Sequence, residues 1–386
     1  MPPSRLIYLD HNATTPLDPR VLAAMMPSLT EHFGNASSAS HPFGLAAAAA
    51  VEKGREQVAS LIGSAASDVI FTSGATESDN TAIKGTAWAC AERGRHIITS
   101  AIEHRAVLES CRFLEAQGFT VTYVPVDAHA MVDPDDVRRA IRGDTILISV
   151  MHANSEVGTI QPVEAIGALA REAGVAFHVD ATQTVGKLPV DVERIGADML
   201  AFSGHKIYGP KGVGGLYVRR RRRLAPLHSG GGQEKGRRSG TYNTPGVVGI
   251  GAACDLAAED LQAEAGRLRA LSSRFLEKVQ ARIDGVTLNG HPQLRLPNNV
   301  NLSFEHVEAE GLIAALRSVA VSSGSACASE TREPSYVMKA MGASDERAHA
   351  AVRFGLGRIT TQQDLDEVVD RLEEAVKKQR AMSHVA

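Results

Sequence analysis

The sequence predicts an α/β fold: a mostly parallel, seven-stranded sheet with helices on both faces, joined to a smaller α+β domain. Three observations carry that expectation. Short β-branched runs alternate with amphipathic stretches through the middle of the chain, the pattern of β-α-β crossovers. The runs are apolar almost throughout, as strands covered on both faces are. The 386 residues are enough for two or three domains at about 150 residues each.

Taken in order, Gly44–Ile62 reads as a helix. Its five alanines, Ala46 to Ala50, belong to a close-packed face, because Glu52, Arg55 and Gln57 follow at helical spacing. Val69–Thr72 is a strand and Glu77–Arg93 a helix. His96–Ser100 is a strand, His104–Gln117 a helix, and Thr120–Pro125 a strand. Asp135–Ile141 is a short helix with Pro134 well placed at its start. Thr145–Met151, Val175–Asp180, Asp198–Ser203 and Gly214–Val218 complete the sheet, with a helix at Val163–Ala173. A long amphipathic helix follows at Leu256–Ile283. Beyond it lie a strand at Asn299–Phe304, a helix at Glu310–Arg317, a Gly/Ser-rich loop and a last helix at Gln363–Gln379. The expected division is a large domain over 15–255, and a small one made of 1–14 and 256–386.

Composition excludes several classes. With 44% hydrophobic and 22% charged residues, the chain is neither disordered nor fibrous. A net charge of −3 gives no basic field for nucleic acid or an anionic membrane. No apolar stretch reaches the ~18 residues of a membrane span. Asp10, His11 and Asp18 stand where a signal peptide needs an apolar run, so a cytoplasmic protein is expected. The four cysteines, Cys90, Cys111, Cys254 and Cys327, form no CxxC pair and suggest no disulfide framework or zinc site. The run Arg219 to Arg223 reads as a solvated turn after a strand.

In an open parallel sheet, ligands bind beyond the carboxyl ends of the strands, and polar residues cluster there. Gly74-Ala75-Thr76-Glu77-Ser78 follows a strand and opens a helix. It is either an anion site or an N-cap made by Thr76 or Ser78. Asp180 ends a buried strand; it is either a structural cap or the partner of a protonated ring nitrogen, with Gln183 three residues on. Ser203-Gly204-His205-Lys206 follows the next strand. Ser203 and His205 can donate to a phosphate, and Lys206 can form an imine with a carbonyl. An anion site, an acid for a ring nitrogen and an imine-forming amine are together what pyridoxal phosphate needs.

His104, at another strand end, either stacks on a ring and moves protons or caps a helix. Arg353, between apolar neighbours, either grips a carboxylate or forms an internal ion pair. Cys90, Cys111 and Cys254 sit on helical patterns and read as small core residues. Cys327 does not, because Ser322-Ser323-Gly324-Ser325-Ala326-Cys327-Ala328-Ser329 offers almost nothing to pack. That points to an exposed, nucleophilic thiol.

The sequence resembles the cysteine desulfurases of the pyridoxal-phosphate class V aminotransferase family, nearly end to end from Tyr8-Leu9-Asp10 to about Thr361. The marks are Phe71-Thr72-Ser73-Gly74-Ala75-Thr76-Glu77-Ser78, His178-Val179-Asp180-Ala181-Thr182-Gln183, Ser203-Gly204-His205-Lys206, Arg238-Ser239-Gly240-Thr241 and Ser322-Ser323-Gly324-Ser325-Ala326-Cys327. The last resembles the branch with a long mobile loop, which serves iron–sulfur cluster assembly or nitrogenase maturation. The resemblance implies a fold-type I pyridoxal-phosphate enzyme. Lys206 would bond the coenzyme, Asp180 would pair with its ring nitrogen, and His104 would stack on the ring. Gln183 would contact the ring hydroxyl. Ala75, Thr76, Ser203 and His205 would hold the phosphate, with Thr241 arriving from the second subunit of a homodimer. Arg353 and Asn154 would bind the substrate, L-cysteine. Cys327 would take its sulfur as a persulfide, leaving alanine, and would pass it to an iron–sulfur scaffold or another acceptor, with a transient role as iron–sulfur ligand. The rival readings are selenocysteine lyase, an aminotransferase or epimerase on the same scaffold, and a sulfur-delivery scaffold with little catalysis.

The family's second asparagine in Met151-His152-Ala153-Asn154-Ser155-Glu156 is here Ser155. Its side chain is shorter, so either substrate affinity is weaker or a water or Asn154 substitutes. Residues Tyr242 to Pro245 are also unusual for the family.

Overall fold

The computed structural model describes residues 6–323 and 334–383. Cys327 lies outside these residues.

Seven strands form the main sheet, in the order Val69–Thr72, Gly214–Val218, Met199–Ser203, Ala176–Asp180, Thr145–Ser149, His96–Ser100 and Thr120–Val124. Every pairing is parallel except those of Gly214–Val218, which runs against both its neighbours. The alternation of side chains feeds two cores. Ile98, Ile148, Phe177, Val179, Leu200 and Phe202 pack on one face. Ile97, Leu147, Ala176, Met199, Ala201 and Leu216 pack on the other, with Ala82 and Ile83 of the Ala75–Cys90 helix.

A second, antiparallel sheet has the order Ser322–Ser323, Ala351–Gly355, Asn299–Phe304 and Val286–Asn289. Phe304, Val352 and Phe354 join Leu365, Val368 and Leu372 of the Gln362–Ser383 helix in its core. The Ala351–Gly355 strand was not foreseen. Its alternation places Arg353 on the face opposite Val352 and Phe354.

The expected helix Leu256–Ile283 begins twelve residues earlier, at Thr244, and runs unbroken to Arg282. Gly246, Gly249 and Gly251 lower helix propensity there, which hid the first turns. Contact explains two of them. A Cβ on Gly249 would meet Met25 Sδ at 2.7 Å, and one on Gly251 would meet Gly54 Cα at 2.8 Å. The helix serves both sheets: Val247, Ile250 and Ala253 lie in one core of the main sheet, Leu268, Phe275 and Val279 in that of the second.

Two of the five arginines of the run pair within the chain, while Arg220, Arg221 and Arg223 are exposed, as in a solvated turn. Arg219 pairs with Glu193 at 2.9 Å and Arg222 with Asp198 at 2.7 Å. Cys111 and Cys254 are buried and Cys90 half-buried against a core. Among the described residues, no helix is long and apolar enough to cross a membrane, and no cluster of histidine, cysteine and carboxylates could hold a metal.

Candidate active site

The carboxyl ends of the parallel strands open into a cavity of about 690 Å³. Ala75, Thr76, His104, Asp180, Gln183, Ser203, His205, Lys206 and Arg353 all line it. Adjacent strands place Asp180 and Ser203 at their last residues. The tight turn Gly204–Lys206 then brings His205 and Lys206 to the same rim.

The anion end is built from backbone. The helix Ala75–Cys90 begins at Gly74, whose φ of 154° is one that side-chain-bearing residues rarely adopt, and no side chain caps it. Neither Thr76 nor Ser78 caps the helix. The Ser78 hydroxyl is buried, 2.8 Å from Thr72 Oγ1 and 3.1 Å from the Gly215 carbonyl. The first-turn N–H groups and the helix dipole therefore remain available to an anion. Gly74 owes its place to Gly214, where a Cβ would lie 2.6 Å from Gly74 Cα. His205 Nδ1 lies 3.1 Å from the Thr14 hydroxyl. Burial, with Lys206, Lys211 and Lys187 nearby, lowers the His205 pKa to about 4. A neutral ring that accepts from Thr14 keeps its proton on Nε2.

Lys206 Nζ donates to the carbonyls of Asn12 and Ala13 at 2.5 and 2.7 Å. Asp180 Oδ1 accepts the Thr182 N–H at 2.9 Å, which leaves Oδ2 for the cavity. Gln183 is clamped at both ends by Asn12: its Nε2 donates to the backbone carbonyl, and its Oε1 accepts from the side-chain amide. His104 is the helix cap that the sequence allowed, and it also lines the cavity. Its Nδ1 accepts the Ala106 N–H at 3.1 Å as the cap of the Arg105–Glu115 helix, while the ring still faces the cavity. Burial, with Lys206 and Arg105 beside it and Asp180 opposing, lowers its pKa. The ring is then neutral, with its proton on Nε2.

Arg353 is the internal ion pair that the sequence allowed. Its Nη2 lies 2.8 Å from Asp10 Oδ1, and its Nη1 donates to the Ser155 carbonyl at 3.0 Å. It also lines the cavity, where its fixed guanidinium can meet a substrate carboxylate.

Asn154 does not line the cavity. Its Nδ2 donates to the Ile102 carbonyl, and its Oδ1 accepts from the N–H groups of Glu156 and Val157. Both ends of the amide hold backbone, so its direct contribution is to fix the turn that presents Ser155. Thr241 is exposed and outside its own chain's cavity. Its motif is tied to the anion site through Arg238, whose Nε donates to Glu77 Oε1 at 2.8 Å. No sequence signal marks Asn12 and Ala13, which hold Lys206 through backbone. Little marks Asp10, a lone acid beside a two-residue strand.

Pyridoxal phosphate fits this donor set. A helix start with unspent N–H groups, a buried carboxylate with one oxygen to spare and an amine share one cavity. Residues 7–368 match the family described as aminotransferase class-V. The chain belongs to that family.

Among its class-V relatives, the "Cysteine desulfurase IscS" of Anaeromyxobacter dehalogenans is 52% identical over 379 residues, 98% of this chain and 94% of that protein. The "Cysteine desulfurase" of Homo sapiens is 49% identical over 384 residues, 99% of this chain and 84% of that protein. A solved structure titled "NIFS-LIKE PROTEIN" superposes with a TM-score of 0.91 at 38% identity, over 97% of this chain and all of that one. One titled "SspA in complex with cysteine" gives 0.82 at 39% identity, over 91% and 98%.

Proposed function

We propose that the chain is a cysteine desulfurase: with bound pyridoxal phosphate it takes sulfur from L-cysteine and leaves L-alanine. The observation that carries this reading is that Asp180, Lys206 and Arg353 face one cavity. When bound, pyridoxal phosphate supplies an aldehyde that captures the substrate amine and a ring that draws electrons from the α-carbon. The open helix start at Ala75 and Thr76, with Ser203 and His205, would hold the phosphate. Asp180 would hold the ring-nitrogen proton, and Gln183 the ring hydroxyl.

Arg353, held rigid by Asp10, binds the substrate carboxylate and so orients the Cα–H bond. Lys206 Nζ accepts the α-proton once it is free of the carbonyls of Asn12 and Ala13. His104 holds a proton on Nε2 at the cavity wall. The Cys327 thiolate attacks the substrate sulfur, and the C–S bond breaks. The electron pair left at the substrate carbon takes a proton, so the products are alanine and a Cys327 persulfide. Cysteine and one thiol in, alanine and one persulfide out, balance without an external oxidant.

The same reading makes the protein a cytoplasmic homodimer that hands sulfur to an iron–sulfur scaffold or a like acceptor. Thr241, exposed on its own subunit, would complete the partner's phosphate site. The main sheet with its two cores and the second sheet with its own would be its two domains, 15–255 and 1–14 with 256–386.

The test is incubation of the purified holoprotein with cysteine. Alanine and a mass increment of one sulfur on Cys327 are expected. Absence of alanine overturns the reading. Cys327→Ala should keep the coenzyme absorbance and lose the persulfide. Sulfide release at the wild-type rate by that variant removes Cys327 from the reaction.

A further inference from the structure

Below the cavity lies a second set of titratable groups that the proposed reaction does not use. His178 and Asp180 alternate along one strand and so project from the same face. The helix Ala75–Cys90 packs on that face and carries Asp79 against it. Asp79, Glu103, Ser149 and His178 are all completely buried.

Neither Asp79 oxygen accepts a hydrogen bond. His178 Nε2 lies 3.5 Å from Asp79 Oδ1, and His178 Nδ1 lies 2.9 Å from Ser149 Oγ. Glu103 Oε1 accepts from Ser100 Oγ at 2.5 Å and from the Met151 N–H at 3.0 Å, while Oε2 is unpaired. The groups that act on Asp79 are Asp180 and Glu103, both of its own sign. Those around Glu103 are Asp180 and the buried Cys111 thiol.

Two completely buried carboxyl groups with a third beside them cannot all ionise. Asp180 alone of the three reaches the cavity. Burial and the two neighbouring acids push the Asp79 pKa well up. Burial lifts that of Glu103 to about 8, against the hydrogen bonds from Ser100 and Met151. Burial lowers that of His178 to about 4, with Asp180 opposing.

We propose that Asp79 is a neutral carboxylic acid facing Nε2 of a neutral His178, and that it and a protonated Glu103 add no negative charge beside Asp180. Asp79 and His178 are positioning residues. They back the Asp180 strand without adding charge, so the proton on the coenzyme nitrogen answers to one carboxylate. This last consequence rests on the function proposed above; the protonation of Asp79 and Glu103 does not.

Infrared spectra of the purified full-length protein at pH 7, with and without coenzyme, test the proposal directly. Carboxylic-acid C=O bands above the amide region are expected in wild type, with one component lost in Asp79→Asn and another in Glu103→Gln. Wild-type spectra without such a band overturn it, whether or not the variants fold. A second readout is the pH midpoint of the coenzyme absorbance in the Asp79→Asn holoprotein. A midpoint within about threefold in proton affinity of wild type supports a neutral Asp79, and a larger displacement overturns it. If wild type shows acid bands but no coenzyme absorbance, the function has failed and the buried acids stand.

Discussion

Asp10 holds Arg353 in place: Oδ1 of the one lies 2.8 Å from Nη2 of the other, although the two residues stand at opposite ends of the chain. The arginine side chain is 7% exposed and its Nε has no partner, so the carboxylate is its main anchor beside the Ser155 carbonyl. Asp10→Asn keeps the shape and removes the charge. Loss of one charge-assisted bond at this partly buried site predicts a rise in KM for cysteine on the order of tenfold, or about 1.4 kcal/mol. Smaller loss is expected in kcat. Steady-state alanine formation measures both.

Ser155 lines the cavity beside that guanidinium, and its carbonyl is one of the arginine's two anchors. Ser155→Asn introduces the longer amide that the family resemblance implies at this position. It is expected to lower KM for cysteine by about threefold, the worth of a modest added hydrogen bond. An unchanged or higher KM would show that a water or another residue already fills the role.

Gly214 abuts the start of the phosphate-side helix. A Cβ there would stand 2.6 Å from Gly74 Cα and 2.7 Å from the Phe202 carbonyl oxygen. Both are backbone atoms with little freedom to move. Gly214→Ala should destabilise the fold by about 1–3 kcal/mol and weaken coenzyme binding, because the helix start must shift. Urea unfolding and coenzyme titration by fluorescence report the two effects separately.

His152 is buried with Nδ1 3.0 Å from the Thr184 hydroxyl, and burial, with Arg194 adding, lowers its pKa to about 4. The folded state keeps this ring neutral, while the unfolded chain protonates it near its ordinary value of about 6.5. Its contribution to stability is therefore complete above pH ~6.5 and is lost as pH falls through about 4, at up to about 1.4 kcal/mol per pH unit. His152→Gln should flatten that limb of the stability profile. Urea midpoints between pH 4 and 8 check it.

Much of this architecture was legible because burial leaves a simple trace. Ile97, Ile98, Leu147, Ile148, Phe177 and Val179 are apolar on alternate and adjacent positions alike, which only a strand covered on both faces permits. Lys206 and Asp180 stood out for the opposite reason, as charges where apolar runs stop. Arg353 is legible in the sequence but its strand is not, since five residues with a charge in the middle give a weak period. Asp79 carries no role in the sequence, and His178 only a place in the Asp180 motif. Each is unremarkable in its own segment, and only the packing of helix on sheet makes them a pair. Asn12 and Ala13 act through carbonyl groups, which every residue has.

The 39-residue helix Thr244–Arg282 has a mechanical consequence. Its first half packs through Val247, Ile250 and Ala253 under the main sheet and its second half through Leu268, Phe275 and Val279 under the smaller one, with no break in the helix between them. A cut near residue 255 would strip Val247, Ile250 and Ala253 from the strut that continues to Phe275 and Val279, so neither fragment would keep an intact rod. Denaturation is then expected to proceed as one event, with the two lobes melting together.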